Sequence, residues 1–191
     1  MPRWEGDAAG RLERAALELF DERGFDRTTV AQIAKRAGLN ERSFYRYFSD
    51  KREVLFGGGD ELERRLAQAL QKVPAGTGPL DALLAALSDA AEVFRPTELL
   101  RIRERVINAN PQLRERELSK VDAIHATLVS GLRARGADET TARIATDMTM
   151  SIWRVAAERC LHGDGSSFAA EVLDATRHLR QIAADDPAAI R

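Results

Sequence analysis

The sequence predicts an all-α protein: an N-terminal three-helix head built on a helix-turn-helix, followed by a helical body, about nine helices in all. Three observations predict it. Ala, Leu, Glu and Arg, strong helix formers, dominate almost every stretch. No run alternates apolar and polar residues as a half-buried strand would. Glycines, prolines and capping residues cut the chain into helix-length pieces.

The first helix is expected from Ala8 to Arg23, with Leu12, Ala16, Leu19 and Phe20 as its inward stripe and Gly24 as its stop. A short second helix follows the cap Thr29 and ends at Gly38; a third runs from Glu41 to Phe48 behind the cap Asn40. Asp50 is expected to cap a fourth helix to Lys72, interrupted by Gly57, Gly58 and Gly59. Beyond the loop of Pro74, Gly76 and Gly78, Pro79 suits the first turn of a fifth helix ending at Phe94. Pro96 separates it from a sixth, Thr97 to Ala109, and Asn110-Pro111 opens a long seventh ending near Gly136. Asp138 starts an eighth, to Leu161. The loop His162 to Ser166 precedes a ninth, Ser167 to Ala184, and the closing DDPAAIR is expected to fray.

Bulk composition excludes more than it selects. The chain has 191 residues, 29 basic and 30 acidic side chains, so overall charge favours no partner. One cysteine, Cys160, cannot close an intrachain disulfide, which fits a reducing cytoplasm. No apolar run approaches the roughly 20 residues that span a bilayer, so no membrane partner is expected. The N-terminus lacks the apolar core of a signal peptide, and a cytoplasmic location is expected. The sequence has no G-x-S-x-G elbow, P-loop or dinucleotide fingerprint, so no enzyme is expected. Three histidines and one cysteine show no metal-ligand spacing, and no metal or cofactor is expected.

Residues 28–48 (TTVAQIAKRAGLNERSFYRYF) carry the chemistry. Two short helices meet at Ala37-Gly38-Leu39, the helix-turn-helix pattern. Val30, Ile33, Ala34 and Ala37 give one apolar face; Phe44 and Phe48 anchor the other helix. At 3.6 residues per turn, Arg42 and Arg46 fall about 160° and about 200° from Phe44, opposite the buried side. Tyr45 and Ser43 flank them. Arginine can bond guanine O6 and N7 with two donors, and hydroxyls reach bases or phosphates. From Arg27 to Arg52 there are seven basic residues against two acidic, Glu41 and Asp50. A near-neutral chain thus concentrates positive charge where phosphate binding needs it.

The stretch from Ala16 to Leu55 resembles the DNA-binding head of the TetR family of bacterial repressors, through Phe20, Gly24, Thr29, Ile33, Ala34, Ala37, Gly38, Phe44, Tyr45, Phe48, Lys51 and Leu55. The resemblance implies a homodimer on a palindromic double-stranded DNA operator, released by a small-molecule effector. It also implies phosphate contacts at Tyr45 and Lys51, and an approach to the backbone around Thr29. The candidate DNA-binding set is therefore Thr29, Gln32, Arg42, Ser43, Tyr45, Arg46, Tyr47 and Lys51. Many members carry a small residue where Arg42 stands, so Arg42 is expected to be particular to this protein.

Residues 1–49 are read as the head and 50–191 as the effector-binding and dimerisation domain. The segments RYFSDKREVLFGGGDEL and LLRIRERVINANPQLRERELSKVDAIHATLVSGLRARG resemble the subgroup of mycofactocin regulators, which implies an acyl-CoA-like effector. Leu99, Ile102, Val106, Ile124 and Leu128 could line an apolar tunnel, with Arg101 and Arg105 at its mouth and His125 beside it. The alternative is ordinary core, with the arginines paired to Glu98 or Glu104. Ile144, Met148, Ile152 and Val155 on the eighth helix, with Phe168, Val172, Leu173 and Leu179 on the ninth, are expected to form a four-helix bundle across a twofold axis. Trp153 is either a core anchor or a pocket wall. Redox control through Cys160 and a scaffold without DNA binding are the competing functions.

Overall fold

A computed structural model of the chain describes residues 8–91, 98–163 and 167–184. All regular structure among them is helical. The expected break at Pro96, the end of the fifth helix at Phe94, the start of the sixth at Thr97, residues 164–166 of the loop before the ninth and the DDPAAIR stretch lie outside the described residues.

α1 (Ala8–Arg23) buries Leu12, Ala16, Leu19 and Phe20, the expected stripe, and the Gly24 N–H closes its last turn on the Phe20 carbonyl at 2.9 Å. α2 (Val30–Arg36) starts in a capping box: the Thr29 hydroxyl accepts from the Gln32 N–H, and the Gln32 side chain accepts from the Thr29 N–H. It stops at Gly38, whose φ of +69° is open to glycine and costly to other residues. That conformation lets the Gly38 and Leu39 N–H groups reach back to the Lys35 and Ala34 carbonyls, at 3.1 and 2.8 Å. α3 (Glu41–Tyr47) is capped by Asn40, whose side chain accepts from the Ser43 N–H at 2.8 Å.

The fourth helix departs from expectation. Asp50 caps a single 3-10 turn, Glu53–Leu55, accepting from the Arg52 and Glu53 N–H groups at 2.7 and 3.3 Å. The reason lies in the next three side chains. Val54, Leu55 and Phe56 are all at least 98% buried. Consecutive positions on an α-helix point 100° apart and cannot all face one core. The chain turns instead, and α4 (Gly57–Lys72) begins afterwards, so the three glycines form its first turn rather than interrupt it. α5 (Pro79–Ala91), α6 (Glu98–Ala109), α7 (Pro111–Ala134), α8 (Glu139–His162) and α9 (Phe168–Ala184) follow close to the expected bounds. Asp138 caps α8 through the Thr141 N–H, and the Ser167 hydroxyl caps α9 through the Ala170 N–H.

The helices form two compact units that do not follow the expected division at residue 50. Among the described residues, 8–60 and 98–120 make one; 61–91 and 121–184 make the other. In the head unit, α6 lies against α1, and Ile102, Val106, Ile107 and Leu113 share a core with Leu12, Leu19, Phe20, Ile33 and Phe44. Arg103 ties the 3-10 turn to this arrangement. Its Nε donates to the Leu55 carbonyl, and its guanidinium grips Glu117 with two bonds of 3.2 and 2.7 Å.

In the body unit, α8 packs against α9 and α5 around Leu83, Leu87, Ile152, Phe168 and Val172. α4 and α7 meet closely where a Cβ on Gly131 would lie 2.7 Å from Leu70 Cδ2. Arg135 closes the end of α4, donating to the Leu70, Val73 and Pro74 carbonyls. No helix of the described residues is long and apolar enough to cross a membrane.

Candidate nucleic-acid interface

Phe44 sets the orientation of α3. It is fully buried, with Tyr45 and Phe48 packed against it at ring separations of 5.5 and 5.6 Å. The opposite face is turned outward: Arg42 and Arg46 are exposed, and Tyr45 is 56% exposed. Among the described residues Arg42 makes no ion pair, so its five donors face solvent. Arg46 lies over the Tyr47 ring, 4.8 Å from its centre, and donates to the Tyr47 hydroxyl. That stacking narrows the directions Arg46 can take.

The other expected contacts are placed differently. Thr29 and Gln32 are each engaged in the capping box of α2. The Ser43 hydroxyl donates to the Asn40 side chain at 3.1 Å, so it serves the cap of α3. Lys51 is turned inward: its Nζ donates to the Phe25, Thr28 and Asp26 carbonyls at 2.8, 3.1 and 3.4 Å, and lies 4.3 Å from the centre of the Phe25 ring.

The cluster of seven basic residues is thereby sorted. Arg36 grips Glu22 with two bonds and reaches Glu18 at 3.3 Å, which ties α2 to α1. That guanidinium holds the Glu22 carboxyl below the usual carboxylate range. Arg52 is paired with Asp50 at 2.7 Å and lowers its carboxyl likewise. Arg27 donates to the Arg23 carbonyl. Among the described residues, Lys35, Arg42 and Arg46, all exposed, are the members of the cluster left with neither a carboxylate nor a carbonyl partner.

Sequence reasoning missed Thr28. Its side chain is 99% buried, and its hydroxyl is shared between the Leu19 and Gly24 carbonyls at 3.2 and 2.9 Å, fixing the loop before α2. The adjacent pair Thr28-Thr29 was the available signal: one threonine caps forward and the other bonds backward.

Residues 13–56 match the model of the bacterial regulatory proteins of the tetR family. Over this head segment the chain is similar to the TetR family. The transcriptional regulator TcmR of Streptomyces glaucescens is 37% identical over 89 residues, 47% of this chain and 39% of that one. The match thus spans well under half of that relative. A Mycobacterium tuberculosis protein described as a mycofactocin biosynthesis transcriptional regulator is 29% identical over 132 residues, 68% of this chain and 66% of that one. Among solved structures, the TetR-family repressor FadR of Thermus thermophilus, in complex with lauroyl-CoA, is 26% identical; 91% of this chain and 93% of that one superpose with a TM-score of 0.53.

Outside the TetR-family motif, the expected effector residues fall in two different units. Leu99, Arg101, Ile102, Arg105 and Val106 belong to the head unit. There Ile102 and Val106 are 93% buried in the head core, Arg101 pairs with Glu98, and Arg105 bonds Asp21 of α1 at 3.0 Å. Ile124 and Leu128 are core of the body unit, where His125 meets Asp147 at 2.9 Å. The cleft of about 640 Å³ between α8 and α9 has a single large apolar side chain, Val155, among polar groups such as Glu158, Arg159 and Asp174.

The expected interface residues also divide. Ile144 and Leu173 are more than half exposed, while Met148, Val155 and Leu179 are partly so. Ile152, Phe168 and Val172 point the other way, into the body core, each at least 97% buried. Those three cannot present a surface to a second chain without unpacking their own. Trp153 packs edge-on against Phe168 at 4.7 Å, with the core. Cys160 is buried there too, shielded from oxidants in solution.

Proposed function

We propose that this chain is a DNA-binding transcriptional repressor that acts as a homodimer and releases its operator when a small, mostly apolar, acyl-CoA-like effector binds. The observation that carries the DNA-binding reading is the outer face of α3. Arg42 and Arg46 project from a helix whose opposite side is locked by Phe44, and no carboxylate among the described residues neutralises them. A rigid helix presenting arginine forks suits the edges of bases in the major groove.

Dimerisation rests on the exposed apolar groups of α8 and α9, chiefly Ile144 and Leu173. Two recognition helices about 34–36 Å apart would enter successive major grooves. The effector must bind a wrongly spaced state better than the DNA-competent one, or nothing shifts. Its class is supported by the lauroyl-CoA complex of the Thermus thermophilus relative and by the likeness to the mycofactocin regulator.

The test starts with selection of an operator from random duplexes. Arg42→Ala should then cost about 1–3 kcal/mol and relax specificity at one base pair per half-site. Its melting temperature should not change, because Arg42 supports no other group among the described residues. Equal losses on selected and random DNA would defeat the base-reading role. Long-chain acyl-CoAs should release the wild-type complex at micromolar concentration. If they bind without release, the coupling is wrong; if they do not bind, the effector class is wrong.

A further inference from the structure

Lys51 follows α3 at the far end of the helix-turn-helix from the Gly38 turn. Its ammonium has three protons, and three main-chain carbonyls of the α1–α2 loop take them: Phe25, Asp26 and Thr28. The charge lies over the face of the Phe25 ring, which is itself buried against Phe20 at 5.0 Å. The same loop is held from the other side by the buried Thr28 hydroxyl, and it leads directly into the capping box that starts α2.

We propose that Lys51 is a positioning residue: it braces the α1–α2 loop to the turn after α3, and so fixes the angle between the two helices that meet DNA, instead of binding a phosphate itself. α2 and α3 are joined covalently at Gly38 and are close to each other there. At their other ends nothing covalent sets their separation. The Lys51 bridge supplies that second tie, spanning 26 residues of sequence to Phe25. Turning outward to a phosphate would strip three carbonyls of their donor and take the ammonium off the ring, so the inward position is the favoured one. This rests on the DNA-binding reading for its consequence, but the brace is measurable without DNA.

Lys51→Met keeps an unbranched side chain of similar length and removes the donors. Operator affinity should fall on the order of tenfold. The slope of log affinity against log salt should stay that of the wild type. A lost phosphate contact would lower that slope by about 0.9 for each phosphate no longer neutralised. In free protein, hydrogen exchange at Thr28, Thr29 and Val30 should speed up while the middle of α1 keeps its protection. Lys51→Arg separates the alternatives again. An arginine binds phosphate at least as well as lysine, yet its flat fork cannot deliver three protons from one point. It should therefore bind the operator more weakly than the wild type at an unchanged slope. A slope lowered in Lys51→Met, full affinity in Lys51→Arg, or unchanged exchange at 28–30 would each overturn the brace, as would global unfolding of both variants. A wild type that binds no DNA, with exchange behaving as expected, would leave the brace standing and remove the function proposed above.

Discussion

Ile102→Ala separates two roles for α6 that look alike in sequence. Read as a tunnel lining, Ile102 would matter for effector binding and little for stability. In the structure it is 93% buried in the head core, beside the elements that carry the helix-turn-helix. Truncation removes three carbons. At about 0.8 kcal/mol per buried methylene the transfer loss alone is about 2.4 kcal/mol, and an incompletely relaxed cavity raises it toward 3 kcal/mol. Three kcal/mol corresponds to more than about 100-fold in the opening constant of the unit that contains it. Hydrogen exchange read by mass spectrometry places the effect. Peptides of α1 and α6 should exchange faster by that factor, while those of α5 and α8, in the other unit, should not change. Operator affinity should fall with head stability. A loss under about 1 kcal/mol, faster exchange in α5 and α8, or an intact head with effector binding lost would refute the reasoning.

Two further expectations concern buried and exposed positions. Ile144 is 54% exposed, so Ile144→Asp should leave the monomer folded and shift sedimentation from dimer to monomer; Ile152, 3% exposed, should instead unfold the body as Ile152→Asp, because a lone carboxylate would be buried. A dimer that survives Ile144→Asp would move the interface elsewhere. Thr28→Val keeps the shape but withdraws a buried donor from two carbonyls, and should cost about 1–2 kcal/mol, lowering Tm by roughly 2–8 °C. Thr28→Ser should restore much of that, and a Val variant as stable as the wild type would show the bond to be idle.

The sequence by itself determined where most helices begin and end, and which face of α3 is wet. Thr29, Asn40 and Asp138 cap the helices they were expected to cap, because a cap bonds a backbone N–H two or three residues away and needs nothing from the rest of the chain. The outward position of Arg42 and Arg46 follows from helical spacing once Phe44 is inside. The TetR-like motif was legible for the same reason: its residues lie within about one quarter of the chain and hold one another.

What only the tertiary structure decided is which partner covers each apolar stripe and which donor meets each acceptor. Hydrophobic attraction is non-directional, so the stripe of Ile102 and Val106 is equally satisfied by a ligand tunnel or by α1; the chain path gives it α1. Ile144 and Ile152 are both isoleucines on α8, two helical turns and nearly a quarter-turn of direction apart, and only the placement of α5 and α9 makes one surface and the other core. Val54, Leu55 and Phe56 ended a helix that the Asp50 cap alone suggested would continue, because all three had the same core to enter. Lys51 is the sharpest case. A lysine beside a basic recognition helix reads as a phosphate ligand until the fold brings three carbonyls, 23 to 26 residues back along the chain, within reach of its protons.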